Sequence, residues 1–156
     1  MGTERLRAVL DTNVFVSAFL SRNPTSPTQE LIRRWEDGEF ILVVSNALLE
    51  EVAEKLVERD IEQERIIEFL TLVGRLADWI DVPPEAMRPI IANDPDDDHI
   101  LACAVVGKAD CLVSYDPHFD CLEGEYQGVK IMKALPFLRA VRGDRPPEII
   151  GAETEN

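Results

Sequence analysis

The chain has 156 residues, and 16 Lys and Arg against 30 Asp and Glu leave a formal net charge of −14, with 46% hydrophobic and 29% charged residues. These proportions describe one globular domain, and a chain of about this length hides roughly 70% of its extended surface on folding, so neither zinc nor disulfides are needed to hold it together. The acidic balance excludes a sequence-independent DNA coat, whose affinity comes from Lys and Arg neutralising phosphates. It does not exclude a nuclease, because clustered carboxylates attract divalent cations that can contact phosphate in their place.

No apolar run approaches the roughly 20 residues that cross a bilayer, and the N-terminus lacks the basic, apolar and small-residue blocks of a signal peptide. The expected location is therefore cytoplasmic. Cys103, Cys111 and Cys121 are odd in number and form no CxxC pair, so they are expected as small core residues.

Apolar runs of strand length alternate with helical stretches, without internal repeats, which is the pattern of βαβ units. The first strand is Arg7 to Asp11, followed by Thr12-Asn13 and a helix opening at Val14 to Leu20. After a polar loop from Arg22 to Thr25, Ser26 caps a helix with Pro27 at its first position, Gln29 three after the cap and Gly38 at its close. Strand two, Phe40 to Val44, is an unbroken apolar run of the kind buried on both faces in a parallel sheet. Ser45 caps the next helix, to about Arg59. A third long helix from Glu62 to Trp79 carries the stripe Ile66, Ile67, Leu70, Val73, Leu76 and Ala77.

A short strand at Ile80 to Val82 ends at Pro83-Pro84, and the acidic segment Asn93 to Asp98 opens a helix that Gly107 closes. Strand four is Cys111 to Tyr115, strand five Val129 to Met132, and the last helix Ala134 to Val141. These elements predict a three-layer α/β/α sandwich with a mainly parallel, twisted sheet of about five strands. One domain is expected over residues 1–142, with a flexible polar tail over 143–156 containing Pro146-Pro147.

In an open parallel sheet the ligand site lies beyond the carboxyl ends of the strands, where strand order reverses. Four acidic positions map to that rim. Asp11 ends the first strand, where an unpaired buried carboxylate would be costly. Glu50 or Glu51 lies early in the helix after strand two. Glu50 lines up with Glu54 and Glu58 in an acidic, solvated column, whereas Glu51 shares a side with Ala47, Leu48 and Lys55, so Glu51 is preferred. Within the acidic run, Asp94, Asp96 and Asp98 suit a helix N-terminus and its dipole. Asp97 lines up with Ile100, Leu101, Ala104 and Val105, which makes it the preferred site acid over Asp98. Asp116 follows strand four in an Asp-Pro turn.

Four carboxylates about 5 Å apart would repel by about 3 kcal/mol per pair at an effective dielectric of roughly 20. Six pairs come to about 20 kcal/mol, more than a single domain tolerates, so protons or cations must offset the charge. Oxygen ligands without clustered His or Cys favour Mg²⁺ or Mn²⁺ over zinc. His99 and His118 form no spaced ligand pair and are expected as a surface helix residue and a loop residue, outside catalysis. No Gly-rich phosphate cradle is present, so no bound nucleotide is expected. Arg22, Arg33, Arg34, Arg139, Arg142 and Arg145 are the candidates for phosphate contact, with solubilisation of exposed helices the favoured reading of each.

Asp11-Thr12-Asn13 after a first strand, SNALLEEV at 45–52, DPDDDHILACA at 94–104 and LVSYD at 112–116 together resemble the PIN-domain nucleases, especially their VapC-like toxin branch, over about residues 7 to 140. The resemblance implies metal-binding acids at Asp11, Glu51, Asp97 and Asp116, oriented by Asn13 and by Ser114, which stands where the family often has Thr. A further acid sometimes found in the last motif has Asp120 as its nearest candidate. It also implies Mg²⁺- or Mn²⁺-dependent cleavage of RNA, an antitoxin that blocks the site, and a homodimer. One or two ions would polarise a phosphodiester oxygen and activate water, with Glu51 or Asp97 orienting that water. The rival expectations are a PIN fold that binds RNA or protein without cutting, and an aspartyl-phosphate phosphohydrolase. The latter usually has a second Asp two residues after the first, where Asn13 stands.

Overall fold

Short apolar runs with no polar alternation build the centre of the sheet. Strands β1 (Arg7–Leu10), β2 (Ile41–Val44) and β4 (Cys111–Val113) are almost wholly buried, as they must be when helices cover both faces. β3 (Asp78–Trp79), β5 (Glu125–Tyr126) and β6 (Val129–Met132) complete a six-stranded sheet in the order β3-β2-β1-β4-β6-β5. All neighbours are parallel except the β5–β6 edge pair. Register is fixed at the centre, where Ala8 stands beside both Leu42 and Cys111, and Leu10 beside Val113. The computed structural model describes residues 5–91 and 94–143. Asn93, Arg145, Pro146-Pro147 and the rest of the expected tail beyond Gly143 lie outside them.

Helices α1 (Thr12–Leu20), α2 (Pro27–Glu36), α3 (Asn46–Glu58) and α4 (Gln63–Leu76) join β1 to β2 to β3, stepping outward in one direction. Helix α5 (Pro95–Val106) then carries the chain back across β1 to β4 and packs on β1, β2 and β4. Right-handed crossovers of opposite direction put such connections on opposite faces of the sheet, which gives the α/β/α sandwich. Helix α6 (Ala134–Arg142) returns to lie on α2. It is tied there by Arg142, whose guanidinium reaches both carboxylate oxygens of Glu30, the nearer at 2.7 Å.

Caps explain where helices begin. Ser26 Oγ accepts the Gln29 N–H at 3.3 Å and Ser45 Oγ the Leu48 N–H at 3.2 Å, as the sequence predicts. The stripe of α4 differs from expectation. Ile66, Phe69 and Val73 are buried, while Ile67 and Leu76 are exposed. Phe69 is drawn in because its ring meets Phe15 and Phe19 edge-on at 5.3 Å each and Trp35 at 6.4 Å.

Strand β3 starts two residues before the expected Ile80, because α4 ends at Leu76 and Ala77 is already extended. Ile80 still donates its N–H to the Val44 carbonyl at 2.7 Å. The sixth strand arises from a tight hairpin at Gln127-Gly128, both with positive φ (49° and 87°), the geometry of a two-residue turn that follows strand twist. Cys103 and Cys111 are buried as expected, but Cys121 is exposed, on the 3₁₀ turn Pro117–Leu122.

Gly107 closes α5 where backbone meets sheet. Its carbonyl accepts from Arg7 Nε and Nη2 at 3.1 and 2.7 Å. A Cβ there would sit 2.6 Å from Val43 Cγ1 and 2.9 Å from the Cys103 carbonyl oxygen. Gly107→Ala is therefore expected to lower stability by about 1–3 kcal/mol through overpacking. Urea unfolding should show a lower midpoint with an unchanged slope.

Candidate active site

The strand order reverses between β1 and β4, since the chain leaves β1 toward β2 and returns to β4 on its other side. The crevice at their carboxyl ends collects side chains from four separate segments. Asp11, 3% exposed, is the N-cap of α1, and its Oδ1 accepts the Thr12 N–H at 2.7 Å. Its Oδ2 accepts the Ser114 hydroxyl at 2.7 Å, and Ser114 Oγ in turn accepts the Asp116 N–H at 2.9 Å. One hydroxyl at the end of β4 thus holds Asp11 and the Asp116 backbone together.

Glu51 on α3 reaches the same place from α1's side, its Oε1 accepting the Thr12 hydroxyl at 2.9 Å. Glu50 is exposed, in line with the solvated column. Thr12 is a supporting residue that sequence reasoning missed. The helix begins at Thr12 and not at Val14, so Thr12 faces α3. Asn13, turned about 100° further round, lies exposed on the outer face with Ser17 and Leu20. Among the described residues Asn13 makes no hydrogen bond to an acid.

The acidic run at the start of α5 is split among several tasks. Asp94 caps the helix, its Oδ1 accepting the Asp97 N–H at 3.3 Å. Asp97, 5% exposed, turns into the crevice, whereas Asp98 spends its Oδ1 on the Ile90 and Ile91 N–H groups at 2.9 and 2.7 Å. Asp96 is exposed, as is Asp120 on the 3₁₀ turn.

His118, expected as an uninvolved loop residue, stands against this cluster. Its Nδ1 lies 2.9 Å from Asp97 Oδ2, 2.9 Å from Asp94 Oδ2 and 3.4 Å from Asp116 Oδ1. No ligand-pair spacing along one helix could reveal it, because its partners come from another element. His99 is half-buried, not a surface residue. Its Nε2 pairs with Ser45 Oγ at 3.0 Å, linking α5 to the cap of α3, and burial holds its basicity below the usual value. Of the candidate phosphate ligands, Arg34 and Arg142 are engaged with Glu30, and Arg33 donates to the Pro24 carbonyl at 2.7 Å. Arg22 and Arg139 are exposed.

The electrostatics follow from this crowding. Burial raises the Asp11 pKa, the Ser114 and Thr12 hydrogen bonds oppose it, and the charges of Asp116 and Asp94 add to the rise. Burial also raises Glu51, against the Thr12 hydrogen bond and with the charges of Asp96 and Asp11. Asp97 is pushed up to about 7, by burial first and then by Asp94 and Asp116, although His118 works against the shift. Burial pushes Asp94 up too, but its hydrogen bonds from Asp97 and His118 outweigh that and leave it below its usual range. The Asp97 carboxylate, helped by Asp116, raises His118.

The proton affinities of three carboxyls and an imidazole are thus raised, which is how a site with surplus negative charge behaves. Hard oxygen donors from separate elements in such a field fit a divalent cation. The donor atoms of Asp94, Asp97 and His118 all lie within 4.8 Å of one another.

Residues 7–118 match the family model of the PIN domain. The chain belongs to the PIN-domain family. Its fold is similar to a chain of the VapBC2 complex from Rickettsia felis, whose crystal structure holds a DNA fragment from their promoter. The TM-score is 0.55 and the identity 16%, over 81% of this chain and 97% of that one. It is also similar to the RRP44 PIN domain of T. brucei, with a TM-score of 0.52 and 14% identity over 90% of this chain and 83% of that one. No curated protein sequence matches the chain. Among the described residues of this PIN domain, no helix is long and apolar enough to cross a membrane.

The raised carboxyls set the pH dependence of stability. Asp97, with a folded pKa near 7 against 3.8 for an ordinary Asp, keeps a proton in the native state that the unfolded chain releases. Asp11 and Glu51 shift in the same direction. At these three sites the native state binds more protons, so their share of stability falls as pH rises from about 4 to about 7. His99, held below its usual value by burial, works the other way just below 6.5 and opposes part of the fall. His118 has the same sign as the three carboxyls, because its contribution is full below its unfolded pKa and is lost as pH rises through the raised folded one. Scanning calorimetry in EDTA should show a thermal midpoint that declines between pH 5 and 8, and a shallower decline in Asp97→Asn. A wild-type midpoint that climbs with pH would contradict this account.

Proposed function

We propose that this PIN domain is a divalent-cation-dependent endoribonuclease, the toxin of a toxin–antitoxin pair. One observation carries the reading: Asp11, Glu51, Asp97 and Asp116, far apart in sequence, come to the crevice between β1 and β4, where the charge of Asp116 raises the proton affinity of Asp11 and Asp97 and that of Asp11 raises Glu51. Four such carboxylates would hold Mg²⁺ or Mn²⁺. A bound ion supplies Lewis acidity at a phosphodiester oxygen and lowers the pKa of its water.

The chain's own groups do the rest. The Thr12 hydroxyl holds Glu51 by Oε1 and leaves Oε2 for a ligand. Asp11 is held by both oxygens, Oδ1 by the Thr12 N–H and Oδ2 by the Ser114 hydroxyl, and would offer an ion the remaining lone pairs. Glu51 and Asp97, with raised proton affinity, are suited to take a proton from attacking water. Without a cation the crevice repels a phosphate backbone, so substrate binding and metal binding are one requirement. Flexible RNA, which can fold into an open crevice, is the substrate class.

The likeness to a VapBC2 chain supports an antitoxin partner. A groove of about 690 Å³ between α1, α2 and α4, lined by Phe19, Ile32, Ile67 and Leu72 with Arg33 and Arg65, offers it a surface. A cytoplasmic homodimer belongs to the same proposal, as does a single domain over residues 1–142.

Asp11→Asn and Asp97→Asn, purified and shown folded by circular dichroism, are each expected to lose Mn²⁺-dependent RNA cleavage by at least about 10²-fold. Mn²⁺ should raise the thermal midpoint of the wild type, since an ion bound only by the native state must stabilise it. Full activity in either variant would overturn the assignment. RNA binding without cleavage in the Mn²⁺-loaded wild type would favour a non-catalytic binding module.

A further inference from the structure

The ligand atoms at the open end of the crevice are not all oxygen. We propose that the His118 imidazole is a nitrogen ligand of the metal centre, so that the site takes Mn²⁺ and later transition ions in preference to Mg²⁺. This rests on the metal-centre reading above and adds to it a residue outside the four acids.

Two donors bound at about 2.1 Å to one ion, at right angles, lie about 3 Å apart, and opposite donors about 4.2 Å apart. His118 Nδ1 stands 2.9 Å from Asp97 Oδ2 and 2.9 Å from Asp94 Oδ2, with all three donor atoms inside 4.8 Å. That is the spacing of neighbouring positions in one coordination sphere. With no ion present, Nδ1 is within hydrogen-bond distance of both carboxylates, so the three donor atoms are already gathered around one point from two separate elements.

The backbone under His118 is built to hold it there. Asp116 caps the 3₁₀ turn Pro117–Leu122, its Oδ1 accepting the His118 N–H at 2.9 Å. Pro117 fixes the first position of the turn, and Phe119, 2% exposed, anchors the next residue in the core. The ring itself is open to solvent, with 57% of the side chain exposed, so the carboxylates orient it. An ion entering from solvent would meet the imidazole at the mouth of the crevice.

The chemistry then sets the preference. Mg²⁺ is a hard ion that keeps oxygen ligands and sheds water reluctantly, whereas imidazole gains value along the first-row series from Mn²⁺ onward. The rival role for His118 is a counter-cation that occupies the metal's place and leaves when the ion arrives. The two roles predict opposite outcomes.

The test uses the untagged full chain, its His118→Gln and His99→Gln variants, and Asp11→Asn. With Mn²⁺ bound, electron spin echo spectroscopy should show ¹⁴N modulation from a directly coordinated imidazole in the wild type and in His99→Gln, and none in His118→Gln. Calorimetric titration should show His118→Gln weakening Mn²⁺ binding by about 10-fold or more, with Mg²⁺ moved by less than about threefold. Absence of ¹⁴N coupling in the wild type, or Mn²⁺ binding unchanged or tightened by His118→Gln, would overturn the proposal in favour of the counter-cation. Asp11→Asn separates the two levels. If it leaves Mn²⁺ binding untouched, the four-acid centre itself falls, whereas Mn²⁺ lost in Asp11→Asn but kept in His118→Gln removes only the histidine ligand.

Discussion

Negative charge packed where water is scarce is the constraint on which the rest of this structure depends. A parallel sheet whose crossovers diverge from β1 must leave an opening above β1 and β4, and the residues just past those strands have no choice but to face it. Here those residues are Asp11 and, two past Ser114, Asp116. Helices α3 and α5 begin at the same rim and add Glu51 and Asp97. Burial and the charge of neighbouring acids together raise the proton affinity of Asp11, Glu51 and Asp97, and the same imbalance makes the crevice receptive to a cation.

The surrounding contacts keep that imbalance in place. Neutral hydroxyls of Thr12 and Ser114 steady Glu51 and Asp11, donating one hydrogen bond apiece without cancelling charge. Three guanidinium groups are committed away from the rim: Arg7 to the Gly107 carbonyl and Asp78, and Arg34 and Arg142 to Glu30. Hydroxyl donors at the rim and cations at the periphery give a scaffold that is neutralised where it packs and left acidic where it opens.

Much of this was legible in the sequence because it rests on local pattern. Apolar runs of strand length gave the parallel centre, Ser26 and Ser45 announced helix starts, and the register of Asp97 with Ile100, Leu101 and Ala104 separated it from Asp96. What stayed hidden depends on where a helix begins or on what another element brings near. A start at Thr12 exchanges the supporting role between Thr12 and Asn13, since neighbouring helical residues point about 100° apart. His118 has partners on α5 that no one-dimensional spacing encodes. The β5–β6 hairpin is only two residues deep and uses Gln-Gly where Asn-Gly is the usual signal.

Asp98 shows how adjacent identical residues become unlike. By gripping the amides of Ile90 and Ile91 it staples the incoming chain to the first turn of α5, and so fixes the rotation of that helix about its axis. Helix rotation is what decides whether the preceding side chain looks into the crevice or past it. The aim of Asp97 is thus governed by a neighbour that never enters the opening, and drift at position 98 would be felt as misalignment one residue earlier.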